Sequence, residues 1–301
     1  MSMGQSDSRN IKMLCSLLGY RRQSFYKFAR RVEKEALQQD LIIQEVLRIR
    51  RTLKRLGTRK LLVKMEEFMK AHSIRIGRDA MFCLLGSHKL LIRKRRRKVP
   101  VTTFSDHWMR KYSNIVTGFV PMAPNRLWVS DITYIRLKDD FAYLSLITDA
   151  YSRKIVGFSL SETCSADSCI TALKMALANK SANDKLIHHS DRGSQYCSAK
   201  YVALLNQHSI KISMTQSGDP LENALAERVN GILKDELLEK QYLTFYQSQL
   251  GVKAAVSIYN HERPHASIDM LTPAEAHNRE GEIKRRWKKY VKRKGGNYGL
   301  N

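Results

Sequence analysis

Long hydrophobic runs are absent from this 301-residue sequence. No stretch of about 18 apolar residues occurs, and the first ten residues lack the apolar region of a secretory signal. We therefore expect no membrane span and no export, and we place the protein in the cytoplasm. Cysteine is also scarce, since the five cysteines are scattered and form no CxxC pair. Such spacing supports neither a disulfide framework nor a structural zinc site.

Acidic residues are few relative to basic ones: 28 Asp and Glu stand against 53 Lys and Arg, a net charge of +25. The excess lies toward the two ends of the chain. Residues 1–110 carry a net +18 and residues 281–301 a net +7, whereas residues 111–280 are neutral. Basic ends around a neutral middle are typical of proteins that bind a polyanion, most often nucleic acid. The alternative is that these charges only keep the chain soluble.

Residues 1–91 show mostly helical periodicity and form the first predicted domain. Apolar residues recur from Ile11 to Leu18, Gly19 interrupts them, and a second helix runs from Arg22 to Phe28. This pattern is typical of a DNA-binding helix-turn-helix, although any helical hairpin looks similar. Further predicted helices run from Leu41 to Leu56, from an N-cap at Thr58 through Met69, and from Ala80 to Leu85, closed by Gly86.

Two segments carry most of the remaining positive charge. Residues 92–122 are predicted to be a linker that begins with a run of six basic residues: Arg93, Lys94, Arg95, Arg96, Arg97 and Lys98. Like charges in a row repel one another, so this run predicts a flexible segment that contacts DNA phosphates, or else a solvated tether. Residues 281–301 form a basic tail in which Trp287 and Tyr290 are interleaved with cations. This composition is suited to contacts with the DNA backbone and bases, and equally fits a frayed C-terminus.

Residues 123–280 change to a strand-like period and predict an α/β domain. Three strands at short spacing indicate an antiparallel meander, and helices then alternate with two more strands. The predicted strands run from Leu127 to Leu137, Tyr143 to Ile147, Lys154 to Leu160, Lys185 to His189 and Lys211 to Met214; the helices run from Ser165 to Lys180, Ala199 to Gln207 and Leu221 to Leu238. This order predicts a mixed five-stranded sheet with helices on both faces.

Three acidic residues occupy unusual positions in this domain. Asp131 lies inside the first strand, Asp191 follows the fourth strand, and Glu227 lies off the apolar stripe of the last helix. A carboxylate inside a strand is costly without a specific partner. Acids from strand ends and a facing helix can converge on hard divalent cations, and two such ions can hold both oxygens of a displacement at phosphorus. Each acid taken singly is more often structural than functional, and it is their joint placement that favours a metal site.

Several segments resemble the integrase core of bacterial insertion-sequence transposases of the OrfB type, which are related to retroviral integrases. They are WVSDITYI (128–135), YLSLITDAYSRKIVGFSLS (143–161), HSDRGSQY (189–196), SMTQSGDPLENALAERVNGILKDE (213–236) and YNHERPHASIDMLTP (259–273). The 35 residues between Asp191 and Glu227 match the interval of the DD(35)E family. The resemblance covers residues 123–277, and the helical N-terminal region more loosely.

The resemblance implies a ribonuclease-H-like fold in which Asp131, Asp191 and Glu227 bind two Mg²⁺ or Mn²⁺ ions. It further implies a DNA transposase that cuts the ends of its element and transfers the freed 3′-hydroxyl into target DNA. By the same resemblance Lys234 contacts the terminal DNA. The partners would be double-stranded DNA, further copies of the chain in a synaptic complex and, by fusion, the product of an upstream reading frame; on DNA the protein would associate with the nucleoid.

Other residues near these motifs are assigned by position. Seven residues from Glu227 is about two helical turns, so Lys234 is predicted to share its face, as is Asn223 at i−4. Asn223 is therefore expected to contact DNA together with Lys234. Arg228 and Asn230 depart from the family pattern and are expected to tune DNA contact, and Arg263 is expected to cap the sheet and touch DNA. Two alternatives remain: a DNA-binding regulator with a non-catalytic core, and a nuclease that cleaves DNA without joining strands.

Overall fold

The computed structural model describes residues 11–92, 107–178, 180, 185–216 and 220–284. These residues divide into two units. One comprises residues 11–52 and 57–92, and the other comprises Leu53–Leu56 with the residues from 107 onward. The predicted DNA-contacting run of residues 93–98 and the tail aromatics Trp287 and Tyr290 lie outside the described residues.

The described secondary-structure elements of the first unit are all helices. These are α1 (residues 11–17), α2 (Arg22–Thr52), α3 (Thr58–Lys64), α4 (Glu66–Ala71) and α5 (Arg78–Ser87). Gly19 follows α1 with a φ of +71°, and the N–H of Tyr20 donates to the carbonyl of Cys15 at 2.8 Å. This helix ending favours glycine because it needs a left-handed residue. The predicted order of helix, glycine turn and helix is confirmed, while its role in DNA binding stays a prediction.

The helix boundaries of this unit correct three predictions. The periodicity predicts two helices between Arg22 and Leu56, but α2 is one helix of 31 residues. Residues 29–40 are good helix formers whose side chains are almost all exposed, so they lack the apolar stripe that reveals a helix in sequence. The N-cap of α3 is Gly57, and Thr58 is a buried helical residue. Gly86 lies inside α5 rather than closing it.

The second unit contains a five-stranded sheet with strand order β3-β2-β1-β4-β5. The strands are β1 (Leu127–Arg136), β2 (Phe141–Asp149), β3 (Ile155–Ser161), β4 (Ile187–Ser190) and β5 (Lys211–Met214). The first three pair antiparallel as a meander, whereas β4 runs parallel to both β1 and β5. The predicted mixed five-stranded sheet is confirmed.

Helices cover both faces of this sheet. They are α6 (Ala166–Leu177), α7 (Ser194–Cys197), α8 (Ala199–Gln207), α9 (Ala224–Ile232), α10 (Phe245–His261) and α11 (Pro273–His277). One buried cluster joins Trp128 to Leu173 and Tyr201 of α6 and α8. The other joins Ile135 to Val229 and Tyr259 of α9 and α10. Strand β1 contributes to both clusters and is the central strand of the sheet.

The predicted single helix from Leu221 to Leu238 is wrong in detail. A 3₁₀ turn (Pro220–Asn223) precedes α9, and a π-helical turn (Leu233–Leu237) follows it. The N–H of Leu238 donates to the carbonyl of Leu233 at 2.8 Å, which is the i→i+5 bond of a π-turn. Apolar spacing alone does not distinguish α from π geometry. Lys234 is the second residue of this turn, so its spacing from Glu227 is not wholly α-helical, and their shared face stays a prediction.

No helix in the described ranges is both long and apolar enough to cross a membrane.

Helix α10 has no counterpart among the predicted elements. Gly251 interrupts its apolar pattern, yet a Cβ at this position would lie 2.4 Å from the hydroxyl of Tyr242. The glycine is therefore required by the close approach of a neighbouring ring, not by a break in the helix.

Candidate active site

The parallel pairing of β1 with β4 brings two of the three predicted acids together. Val129 of β1 pairs with His189 of β4. Asp131 and Asp191 each lie two residues after this pair in the same chain direction. Continued along the parallel strands, the register therefore places them side by side. Asp131 is half-buried within β1, and Asp191 is half-buried one residue after β4 ends. Neighbouring strands lie about 4.8 Å apart, so the two carboxylates are close neighbours.

Hydrogen bonds fix the orientation of both carboxylates. Oδ1 of Asp131 accepts the backbone N–H of Ile132 at 3.0 Å, and its Oδ2 accepts Nδ2 of Asn230 at 2.7 Å. Oδ1 of Asp191 accepts the N–H of Gly193 at 3.0 Å. Each carboxylate is therefore held in place by hydrogen bonds from the protein.

Glu227 approaches this pair from α9. Asn230, one helical turn further along α9, is the residue that contacts Asp131. Residues three apart are neighbours on a helix surface, so Glu227 lies beside this contact. Its side chain is exposed, in contrast to the buried Asn230.

The charges of these acids act on one another. Burial and then the negative charge of Asp191 raise the pKa of the Asp131 carboxyl to about 7, and the charge of Glu227 adds to the increase. The hydrogen bonds from Asn230 and Ile132 oppose this shift because they favour the ionised form. Burial also raises the pKa of Glu227. The site therefore favours binding of a proton or another cation near the Asp131 carboxyl.

The donor set fits a hard divalent cation in its chemistry. Carboxylate oxygens are the ligands that Mg²⁺ and Mn²⁺ prefer. Within the described ranges, however, no group of three His, Cys, Asp or Glu side chains is arranged to hold a metal ion. The structure thus brings Asp131 and Asp191 together without bringing Glu227 into the same ligand group. The exposed glutamate side chain has the rotational freedom to complete it.

The two histidines beside the site are structural. His188 is buried and contacts Oγ of Ser130 at 2.7 Å and the hydroxyl of Tyr201 at 2.9 Å. His189 contacts Oγ of Ser213 at 2.9 Å and the carbonyl of Glu222 at 3.1 Å. Burial lowers the pKa of both imidazoles, that of His188 to about 3. Both rings are therefore neutral and committed to hydrogen bonds within the domain.

Two residues that we expect to contact DNA are buried, which corrects those predictions. Arg263 is only 1% exposed, and its guanidinium forms two 2.8 Å hydrogen bonds to the carboxylate of Glu236. Asn223 is buried and donates from Nδ2 to the carbonyl of Ser130 at 2.9 Å. Neither side chain has a surface to offer DNA because both serve contacts inside the domain. The capping role expected of Arg263 agrees with this burial.

Two other predicted DNA contacts remain open to solvent. Arg228 is exposed on α9. Lys234 is half-buried in the π-turn, and its Nζ lies 6.0 Å from the centre of the Tyr134 ring on β1. Their contact with DNA stays a prediction.

Sequence reasoning misassigned Asn230 and missed the segment before β1. Asn230 is buried and directed at Asp131 rather than at DNA. Its position three residues after Glu227 is the signal that places it near the acids. Nε2 of His107 contacts the carbonyl of Arg192 at 2.7 Å, so the chain before β1 reaches the loop that carries Asp191. No local pattern in the sequence links these two segments.

Comparison with known families matches the same region. Residues 121–220 match a model described as an integrase core domain, and residues 208–273 match a second model with that description. The first match contains Asp131 and Asp191, and the second contains Glu227 and Lys234.

Among solved structures, the fold is similar to the catalytic core of HTLV-2 integrase in complex with magnesium. That comparison has 21% identity and a TM-score of 0.43, and covers 52% of this chain and 99% of the other. An intasome of simian T-cell lymphotropic virus has 18% identity and a TM-score of 0.46, with 79% of this chain and 76% of the other covered.

Curated relatives are similar over longer stretches. The 31 kDa protein of insertion element IS600 from Shigella sonnei is 32% identical over 266 residues, which are 87% of this chain and 96% of the relative. A protein named as a transposase for IS986/IS6110 of Mycobacterium tuberculosis is 34% identical over 188 residues, 60% of this chain and 68% of the relative. The transposase InsF for IS3A of Escherichia coli is 32% identical, with 62% and 66% covered. The chain therefore belongs to the insertion-sequence transposases that carry an integrase core domain.

Proposed function

We propose that this chain cleaves a phosphodiester at each end of its element and then joins the freed 3′-hydroxyl to a second DNA. The observation that carries the proposal is the parallel register that makes Asp131 and Asp191 level on adjacent strands. Two carboxylates at the centre of an integrase core supply the oxygen ligands and the negative charge that would bind the divalent cations of this reaction.

Asp131, Asp191 and Glu227 would together hold two Mg²⁺ or Mn²⁺ ions. When bound, the ions would activate the attacking oxygen and stabilise the leaving oxygen at phosphorus. The protein's own part is positional: Asn230 and the Ile132 N–H hold the Asp131 carboxylate, and the Gly193 N–H holds that of Asp191. Glu227 is the adaptable member because its side chain is exposed. Such supported carboxylates reduce the reorganisation needed when substrate binds.

Positive groups around the acids would position the DNA. Arg228 lies on α9 one residue after Glu227, and Lys234 lies in the π-turn that follows, so both would supply cations for the phosphate backbone. The basic segments at residues 93–98 and 281–301 would add contacts to the phosphate backbone. Residues 111–280 carry no net charge, so most of the attraction for DNA phosphates would come from the basic segments and not from the domain that carries the acids.

The active assembly would be a homo-multimer that pairs two element ends on double-stranded DNA. Fusion with the product of an upstream reading frame would add a further DNA-binding module. Both proposals rest on the family and not on a contact within the described residues.

Asp191→Asn tests the catalytic proposal, with Asp139→Asn as the matched control in the exposed turn between β1 and β2. We expect Asp191→Asn to lower Mg²⁺-dependent cleavage of an element-end duplex by at least about a thousandfold, while DNA affinity changes by less than about threefold. The control should cleave like the wild type. Undiminished cleavage by Asp191→Asn would overturn the assignment.

A DNA-binding protein with a non-catalytic core is the second candidate. The observation in its favour is that no ready-made group of three metal ligands exists within the described ranges. This candidate predicts tight, specific DNA binding without cleavage in either Mg²⁺ or Mn²⁺. The same assay on the wild-type protein therefore separates the two candidates.

A further inference from the structure

Apolar side chains cover the surface of the hairpin formed by α1 and the first half of α2. Six of them are 41–75% exposed. These six define the hairpin patch: Leu14, Leu17, Leu18, Tyr20, Phe25 and Phe28. Large apolar residues are normally exposed singly, and a contiguous exposed group marks an interaction site.

The patch borders a groove and not a flat surface. A cavity of about 540 Å³ lies between the two helices, lined by Leu14, Leu18, Tyr20, Phe25 and Phe28. A volume of this size has room for several large side chains from another helix. Among the residues that the structure describes, no element fills the space between the helices of the hairpin.

The second half of α2 carries a comparable apolar stripe, and there the stripe is buried. Ile42, Val46 and Ile49 lie on the same helix at helical spacing and are buried. Phe25 and Phe28 continue the apolar character of α2 toward its N-terminus but are exposed. A helix is stable when its apolar stripe packs on another element, so the exposed half needs a partner.

The other segments of this chain are poorly suited to that role. Residues 1–10 contain only two large apolar side chains, Met1 and Met3. Residues 93–98 and 281–301 are strongly basic, and the hairpin itself (residues 11–37) carries seven Lys and Arg against two Glu. Residues 93–98 carry a net +6 and residues 281–301 a net +7, a higher positive charge per residue than that of the hairpin, and this stronger repulsion would oppose their docking beside the groove.

We propose that the hairpin patch binds the hairpin patch of a second copy of this chain. The six side chains expose on the order of 700 Å² in total, close to the roughly 800 Å² per partner of a standard protein interface. Identical patches related by a two-fold axis are self-complementary, and two hairpins packed in this way complete a four-helix bundle. The proposal concerns self-association alone and does not rest on the proposed catalysis.

The charge of the hairpin predicts how the affinity of the dimer depends on salt. Each hairpin carries a net +5, so the two copies repel one another while their apolar groups associate. Salt screens this repulsion, and the dimer therefore tightens as salt is raised. Association bridged by nucleic acid would weaken instead, because bound counterions compete with the protein.

The test is light scattering coupled to size exclusion on the full, nuclease-treated chain over a concentration series. The variant is Leu18→Ser with Tyr20→Ser, whose side chains are 68% and 67% exposed. The control is Leu243→Ser with Tyr246→Ser in the second unit, with the same exposures of 68% and 67%. Because all four side chains are exposed, both proteins should fold, which circular dichroism verifies.

We expect the wild type and the control to form a dimer of twice 34.8 kDa. We expect the dissociation constant of the hairpin variant to rise at least about tenfold, and that of the wild type to fall between about 0.15 M and 0.5 M salt. A wild type that stays monomeric at about 100 μM would overturn the proposal. So would a dimer that the hairpin variant leaves unchanged, or one that salt dissociates.

Discussion

Asn230 of α9 donates a 2.7 Å hydrogen bond from Nδ2 to Oδ2 of Asp131 at the centre of the sheet. This bond connects the helix that carries Glu227 to the strand that carries the first acid. It also favours the ionised form of Asp131, whose pKa burial and neighbouring charges raise to about 7. The bond therefore links the geometry of the site to its charge.

Asn230→Ala removes this donor, and we expect the pKa of Asp131 to rise further. More of the carboxyl is then protonated at neutral pH, so cleavage at limiting Mg²⁺ should fall by about tenfold and recover partly at higher pH. A pH–rate profile with an acid limb displaced to higher pH is the measurement. Asn206→Ala, on the exposed end of α8, is the control. Equal loss at every pH would show that Asn230 acts only through folding.

Asp131 itself should destabilise the cation-free protein as pH rises. A carboxyl ionises near pH 4 in an unfolded chain, but that of Asp131 ionises near pH 7 in the folded one. The unfolding free energy therefore falls as pH rises through this window, because the unfolded state releases its proton first. Asp131→Asn removes this ionisation.

The expected result is a melting temperature several degrees above that of the wild type at about pH 7.5, with little difference near pH 4. Thermal scans in EDTA provide the comparison. Added Mg²⁺ should then raise the melting temperature of the wild type but not that of Asp131→Asn. A difference independent of pH would contradict the assigned pKa.

Arg263 is buried and forms an ion pair with the half-buried Glu236, which fastens the π-turn to the residues after α10. Arg263→Met removes this cation from the Glu236 carboxylate, and we expect a loss of about 2–4 kcal/mol in the free energy of unfolding. Replacing both residues, as Arg263→Met with Glu236→Leu, should restore most of it. Urea denaturation measures each value. The exposed Arg228→Ala should be neutral in stability, and a neutral Arg263→Met would refute the structural role.

Gly157 of β3 permits the close packing of α6 on the sheet. A Cβ at this position would lie 2.1 Å from the carbonyl oxygen of Ala172, which is backbone and cannot rotate away. We expect Gly157→Ala to lower the free energy of unfolding by about 2–4 kcal/mol because the helix must shift. Gly57→Ala is the control, since nothing lies within 4 Å of its added methyl group. Equal stability of the two variants in urea would contradict this packing.

DNA affinity should fall steeply with salt if the basic segments bind phosphates. The slope of log affinity against log salt becomes shallower by about 0.9 for each phosphate that the protein no longer neutralises. Neutralising residues 93–98, or deleting residues 281–301, should flatten it by several units. Lys234→Ala should flatten it by about one. Fluorescence anisotropy over a salt series gives the slopes, and unchanged slopes would assign these segments to solubility.

Much of the core is predictable from sequence because its signals are local. The alternation around Asp131 and the short apolar run before Asp191 predict β1 and β4, and the order of elements predicts the mixed sheet. The parallel register that makes these acids level is a long-range property, but it follows once the strands pair.

The remaining features depend on interactions that no local pattern encodes. The π-turn after Ile232 has the same apolar spacing as an α-helix. The burial of Arg263 depends on Glu236, 27 residues away in the chain. Asn230 points at Asp131 across 99 residues of sequence. Residues 29–40 of α2 escape detection for the opposite reason, because their exposed side chains leave no buried stripe.

Cleavage and joining at the Asp131–Asp191 site are tested together by a gel assay of one labelled duplex that carries an end of the element, with unlabelled target DNA and Mg²⁺. We predict two products from the wild type, a cleaved 3′ end and a slower branched species in which that end is joined to the target. Both should vanish in EDTA and in Asp191→Asn, while Asp139→Asn yields both. Cleaved ends without the branched species would indicate a nuclease, and full activity of Asp191→Asn would contradict catalysis by these acids.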